Sequence, residues 1–598
     1  MSKDWRWYRD RLRAMSIREI AFRSRAEVYA WQDSRKVDFS DAPTFTAANF
    51  PILPPRACVP IVLAQQFAED LPRLRTGDWV FFRAVPVHVD MPPQWDRDAL
   101  AQVSVVSNQS AFKLNHRALP HGADIKCLWE PSRWQHLTRL LMAAWMAEDR
   151  EASAEVLSVL KHWVTSNPPY RGWQWTSALE SGLRMIQICW MDALFSDMGI
   201  DTAELLREVL PAHTHFTWRH RTFGSSANNH AIGELAGLIV CAVRWPDSQR
   251  YSAPLGKLRD LLESEILAQF APDGGNREQA LNYHLFSLEL CLHAECALKT
   301  ASLSFSDAAQ LRLAAACEFL AYVQSPSEPW DYGDSDDAYA LPIFLSEKTS
   351  ALEWRAWARG EVSPALDFWF NRRNLPALDK VSNWKIFSDS GYAVAESEHT
   401  FLRVDASPLG YLSTAAHGHC DALHLSAWQK GRAVLVDPGT GGYFGDLASR
   451  EVLAGWESHN GPISETFVGP SRRGPFLWSQ HHEQPSLRAQ GNTAIVATKS
   501  TERSVGYGPE GWWVEDKSDG AFGTRWQFAP SFVLTQIDQN VFSVECATFA
   551  IRITISGAIR QAAIATALCS PSFRVLSKSA VLVVNCAGGI LRTEFTPT

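Results

Sequence analysis

The sequence predicts a helical domain of the α/α toroid or solenoid kind, followed by an all-β sandwich. Three observations carry that prediction. Apolar residues recur at helical spacing through a long central stretch, and the texture changes to short β-branched and aromatic runs near residue 380. The length of 598 residues also exceeds what one hydrophobic core supports.

The first part, 1–125, is mixed. It opens with a basic amphipathic helix, then a Pro-rich connector at Pro51-Ile-Leu-Pro-Pro55, then strands near 80–89. The helical pattern fills 126–378, with repeats at 136–147, 154–164, 178–195, 231–243, 258–270, 278–298 and 308–323. Asn167-Pro-Pro169 ends one helix, and Pro272-Asp-Gly-Gly275 separates two others. Successive helices on short loops pack antiparallel, which points to a toroid or solenoid. In 379–598, strands are expected at 391–395, 400–404, 423–428, 433–436, 493–498, 532–535, 541–544, 549–555 and 580–584. A cleft at the junction of the two domains is the expected place for a site.

Composition narrows the function classes. The net charge of −8 supplies no general attraction for a polyanion, so an acidic ligand would need a local basic cluster. No basic run with interleaved aromatics occurs, which argues against nucleic acid. The 25 Trp lean towards carbohydrate, whose apolar ring faces stack on indole, although most Trp in any chain are packing residues. Eleven cysteines stand singly with no CxxC pair, the usage of a reducing compartment. The start lacks the apolar core of a signal peptide, and the longest apolar stretch, 235–243, is too short to span a bilayer. The expectation is therefore a cytoplasmic chain without a membrane span, with the periplasm as the alternative if an export segment is missing.

Three clusters could carry chemistry. Ser225-Ser-Ala-Asn228-Asn229-His230 precedes a small-residue helix and reads as its N-terminus, where free N–H groups favour a carboxylate. Asn276-Arg277-Glu278-Gln279-Ala-Leu-Asn282-Tyr283-His284 places a tyrosine about two turns into a helix. In a cationic site such a phenol ionises more easily and serves as base and then acid. The third cluster joins His417-Gly418-His419-Cys420-Asp421, Asp437-Pro-Gly439 and Ser458-His459-Asn460. On a strand, HxH puts both imidazoles on one face, and two His with one Asp make either a hydrogen-bonded network supporting the strands or a ligand set, for Zn²⁺ rather than Ca²⁺.

Together these segments resemble the heparinase II/III-like polysaccharide lyases. The HGHxD…DPG stretch from His417 to Gly439 and the two helical-domain segments occur in that family's order. Further matches are Trp129-Glu-Pro-Ser-Arg133, Trp175-Thr-Ser-Ala-Leu-Glu180 and Gly333-Asp-Ser-Asp-Asp337. The resemblance implies an incomplete (α/α) toroid followed by an antiparallel β-sandwich, and a lyase acting by β-elimination on a uronate-containing acidic polysaccharide. It makes Asn229, His230, Tyr283 and His417 catalytic, with the first two on the uronate carboxylate. Substrate binding would involve His284, Arg277 and Trp175. His419, Asp437 and His459 would hold a structural metal, Zn²⁺ ahead of Ca²⁺. Cys420 departs from the small residue usual there, and a thiol beside a ligand would perturb the site. The opening segment resembles members associated with cell-surface polysaccharide (exopolysaccharide) production, so the heparin of the family's name is not carried over as the substrate. The alternatives are a uronate C5-epimerase on the same fold and a non-catalytic polysaccharide-binding factor. The oligomeric state is left open.

Overall fold

The computed structural model describes residues 17–35, 37–343, 349–370, 378 and 383–598. The opening basic helix expected within the first fifteen residues lies outside them, and so does most of the expected domain boundary, where only 378 is described. Among the described residues the helical and β-textures appear in the expected order.

The helical domain has two layers. Ala178–Asp197, Asn229–Arg244 and Leu281–Thr300 are buried on nearly all sides and pack along one another. Arg150–Ser166, Ala203–Arg219, Leu255–Gln269 and Asp307–Val323 bury one face and leave the other in water. A helix apolar all round belongs inside, and an amphipathic one belongs on the rim. The inner helices approach closely where side chains vanish: a Cβ on Gly237 would fall 2.4 Å from the Gly182 carbonyl oxygen. Helix Ala203–Arg219 was not among the expected ones, because Pro211 interrupts its pattern on paper yet sits inside it in the fold. The strands expected near 80–89 form the hairpin Asp78–Phe81 with Val85–His88.

The β-domain is built from two antiparallel sheets. A five-stranded sheet runs in chain order through Lys385–Phe387, Tyr392–Glu396, Thr400–Asp405, Leu425–Gln429 and Arg432–Leu435. A ten-stranded sheet is centred on two 23-residue strands, Ala550–Ser572 and Val575–Pro597. The patterns at 549–555 and 580–584 mark only parts of these long strands. Their other stretches alternate less cleanly, because both faces there are partly exposed. The hairpin Thr501–Gly508 with Gly511–Ser518 was also not expected.

An irregular segment, 324–340, ties the two domains together. Trp330 donates its indole N–H to the Asp437 carbonyl at 2.8 Å, and Arg403 donates to the Trp330 carbonyl at 3.0 Å. The Ser335 amide donates to Thr440 Oγ1 at 2.7 Å, and the Phe573 amide to Asp337 Oδ2 at 2.9 Å. These bonds hold Gly333-Asp-Ser-Asp-Asp337 between the toroid and the loops that carry the histidines. No helix among the described residues is long and apolar enough to cross a membrane.

Candidate active site

The first cluster forms the helix start expected of it. Asn228 is the N-cap, its side chain accepting from the His230 amide at 3.2 Å, and the helix runs on from Asn229. Asn229 is turned inward: its Nδ2 donates to both oxygens of Glu278 at 3.1 Å and its backbone amide to Glu278 Oε1 at 2.9 Å. His230 remains partly exposed. Burial pushes its imidazole down to about 3, with the charges of Lys126 and His417 adding to the effect. At neutral pH it is a neutral donor, not a cation.

Tyr283 lies in the first turn of its helix, which begins at Leu281, instead of two turns in, because Arg277 and Glu278 form a turn, Gln279 takes a left-handed φ of 55° and Ala280 is extended. Its hydroxyl is 2.8 Å from that of Tyr443. The expectation of an easily ionised phenol is corrected. Burial pushes this hydroxyl well above its ordinary range, Asp336 adds to that, and the Tyr443 hydrogen bond opposes it only in part. Tyr283 therefore keeps its proton at neutral pH.

His417 and His419 lie in a loop, not on a strand, yet they still converge on one partner. Asp334 Oδ2 is 3.1 Å from His417 Nδ1, and Asp334 Oδ1 is 2.9 Å from His419 Nε2. The glycine between them is required by space, since a Cβ on Gly418 would fall 1.5 Å from the Leu409 carbonyl oxygen. Arg450 grips the same carboxylate with both terminal nitrogens, Nη1 to Oδ1 at 2.6 Å and Nη2 to Oδ2. Burial alone would raise the Asp334 carboxyl, but Arg450 and the two imidazoles hold it well below the usual range. An ionised carboxylate only accepts, so His417 carries its proton on Nδ1 and His419 on Nε2. In the neutral ring the lone pair of His417 is therefore on Nε2, which lies 3.8 Å from Glu278 Oε2. The His417 ring lies 4.0 Å from the Tyr283 ring, so the two domains meet at this pair.

The same reasoning orients the metal-type cluster. His459 donates Nδ1–H to the Gly455 carbonyl at 2.8 Å, which leaves Nε2 with a lone pair. Asp437 Oδ1 accepts from the Gly439 amide at 2.8 Å. What is left over is His419 Nδ1, His459 Nε2 and Asp437 Oδ2, all buried and without a well-formed hydrogen bond among the described residues, with His459 Nε2 and Asp437 Oδ2 3.4 Å apart. One ligand atom from each of the three residues lies within 4.8 Å of the others. Buried polar atoms do not normally stay unpaired, so this donor set fits a metal. The Cys420 thiol lies apart from that set, in an apolar group with Leu409, Ala415, Ala454 and Trp478.

Two residues expected to touch substrate are placed elsewhere. Trp175 is fully buried, its N–H donating to the Asn167 carbonyl at 3.1 Å and its ring packed on His213 and Phe216. His284 is likewise enclosed, with Nδ1 accepting from the Asn276 amide and Nε2 at 3.1 Å from the Ala316 carbonyl. Both are corrections: a helix face that looks reactive in sequence is here closed by the neighbouring layer. Arg277 keeps a partly exposed side chain. The structure also adds residues that the motifs did not single out. Asp334 and Arg450 set the imidazoles, Glu278 holds Asn229, Tyr443 meets Tyr283, and Lys126 pairs with Asp336 at 2.6 Å beside His230. The signals available were Glu278 within the Asn276–His284 cluster and Gly333-Asp-Ser-Asp-Asp337, whose carboxylates give no hint of their partners until the domains are docked.

The comparisons agree with this architecture. Residues 108–336 match the heparinase II/III N-terminus, and residues 380–587 match the heparinase II/III-like C-terminal domain. A crystal structure of heparinase III superposes with a TM-score of 0.65 at 14% identity, covering 96% of this chain and 89% of that one. The heparan sulfate lyase HepC from Pedobacter heparinus gives 0.54 at 16% identity, covering 96% and 88%. At such identities the likeness speaks for the fold. A search of curated proteins found no match. With its toroid, its β-sandwich and both family domains in sequence, the chain belongs to the heparinase II/III-like family and has a polysaccharide lyase fold.

Proposed function

We propose that this chain cleaves a uronate-containing acidic polysaccharide by β-elimination. The observation that carries the reading is the His417–Tyr283 contact, with ring centroids 4.0 Å apart, which brings an oriented imidazole and a protonated phenol together from the two domains. His417 Nε2 takes the proton from C5 of the uronate. The electron pair left behind forms the C4=C5 double bond, and the C4–O4 bond breaks. The departing O4 takes the proton of the Tyr283 hydroxyl, and solvent exchange returns His417 and Tyr283 to their starting states. Negative charge builds on the uronate carboxylate as C5 loses its proton, so donors placed there lower the barrier. His230 and Lys126 are the groups beside that position, with Asn229 held in place behind them by Glu278. The heparinase III and heparan sulfate lyase relatives support the same reaction class.

The test is incubation with a panel of uronate polymers while following the ultraviolet absorbance of an unsaturated product. Absorbance on at least one polymer is expected. No absorbance on any, with solvent deuterium entering C5, would convert the assignment to an epimerase. Binding with neither signal would leave only a binding factor.

His419, Asp437 and His459 would hold a metal, with Zn²⁺ preferred over Ca²⁺ for two imidazole ligands. Bound there, the ion supplies structural order to the loop on which His417 also sits. Elemental analysis of the purified protein should find close to one equivalent of zinc, lost in His419→Ala together with several degrees of thermal stability. Wild-type protein free of metal, yet equally stable with and without added zinc, would sink the idea.

A further inference from the structure

The segment 471–479 folds back on itself against His417, Tyr443 and Arg450. Arg472 and Trp478 form an isolated antiparallel bridge, the Arg473 amide donates to the Leu477 carbonyl at 2.7 Å, and Gly474-Pro475-Phe476 make the tip. The tip is fastened to the site. Phe476 packs 5.4 Å from the His417 ring and 5.1 Å from that of Tyr443. Arg450 Nη2 donates to the Pro475 carbonyl at 3.0 Å, and the Trp478 indole to the Gly418 carbonyl at 3.2 Å.

This loop carries a charge that the proposed mechanism does not use. The Arg472 guanidinium stacks 4.8 Å from the Trp478 ring and donates Nη2 to the Pro475 carbonyl. Its Nε and Nη1 are enclosed and have no hydrogen-bond partner among the described residues. Burial pushes Arg472 down to about 9, the charge of Arg450 adding and that of Asp334 opposing. Asp334 cannot serve as its counter-ion, because both carboxylate oxygens are already taken by Arg450, His417 and His419. A partly buried cation with both Nε and Nη1 idle is costly unless an anion completes it. The donors and the charge suit an oxyanion.

We propose that Arg472 forms an oxyanion subsite beside the cleft, taking a carboxylate or sulfate of the polysaccharide next to the sugar that is cleaved. The proposal rests on the acidic-polysaccharide reading and assigns it a second point of charge recognition. It also explains why a chain of net charge −8 needs no broad basic surface to hold a polyanion.

The experiment uses thermal unfolding of the full chain with sodium sulfate, sodium glucuronate or sodium chloride at matched ionic strength. Wild type should gain stability saturably with sulfate or glucuronate over chloride, and the anion that works tells sulfate from carboxylate. Arg472→Met keeps a similar volume against Trp478 and removes the charge. It should lose the anion response and unfold at a higher temperature than wild type in chloride alone, since an uncompensated charge has gone. On polymer, it should raise KM at least about tenfold with kcat within about threefold. Arg472→Lys should recover part of the anion response. No response to either anion in wild type, or an unchanged response in Arg472→Met, overturns the subsite. An Arg472→Met protein less stable in chloride does so too, as it marks a structural arginine. Because the anion response needs no turnover, it stands or falls separately from the lyase assay.

Discussion

Tyr283→Phe lowers turnover by about 10²- to 10⁴-fold while leaving polymer binding within about threefold, if the hydroxyl is the proton source for the leaving oxygen. The substitution removes one oxygen from a ring that is otherwise packed on His417, so the apolar contacts stay. Among the described residues the hydroxyl has one hydrogen-bonded neighbour, Tyr443 at 2.8 Å, and that bond is what the variant loses. Stability should therefore change by only about 1 kcal/mol, the value of a single buried hydrogen bond. The informative comparison is between substrates. A polymer bearing a good leaving group at O4 needs less help from an acid, so it should be hurt least by Tyr283→Phe. Steady-state kinetics on two such substrates, with binding measured separately, checks this. A variant that turns over normally on both would take Tyr283 out of the reaction and leave His417 to act alone.

Asp334→Ala should be the most destabilising single change in the site, by about 3–5 kcal/mol. Asp334 is fully buried and is the shared anion for Arg450, His417 and His419. Removing it strands the Arg450 guanidinium in a site that water does not reach, and frees both imidazoles to turn. The Nδ1–H tautomer of His417 is no longer enforced, so activity should fall even in whatever fraction remains folded. Asp334→Asn separates the two effects. It keeps the shape but removes the charge, so turnover should drop by at least about 10²-fold with a smaller stability loss than alanine. Chemical denaturation together with kinetics on both variants decides the matter. If Asp334→Ala unfolds at the wild-type midpoint, the carboxylate is not the hub that the geometry describes. If Asp334→Asn is fully active, the orientation of His417 does not depend on it.

Much of the architecture was readable in advance because it depends on local periodicity. The pattern at 178–195 became the helix Ala178–Asp197, and that at 231–243 became Asn229–Arg244 behind its Asn228 cap. The run at 400–404 became the strand Thr400–Asp405. A repeat of 3.6 or 2 residues is a property of neighbours in the chain, so neighbours suffice to show it. Elements were missed where one residue breaks the pattern without breaking the structure, as Pro211 does within Ala203–Arg219.

The site divides along the same line. The residue types were legible: His417, His419, Asp437 and His459 announce themselves by chemistry and spacing, and Tyr283 by the segment around it. Their directions were not. Trp175 and His284 looked available for a sugar and are sealed inside, because which side of a helix faces the cleft depends on the helices packed against it. Tyr283 changed from an easily ionised phenol to a protonated one for a similar reason. Its pKa is set by burial and by Asp336, which lies far away in sequence. The sequence by itself determined the order of the two domains, the identity of the candidate site side chains and the family. Only the tertiary structure decided that Asp334 and Arg450, 116 positions apart, would fix the protons on both histidines, and that Arg472 would be left without a counter-charge. Side-chain identity is written residue by residue, whereas protonation and orientation follow from distances that exist only after the domains close on each other.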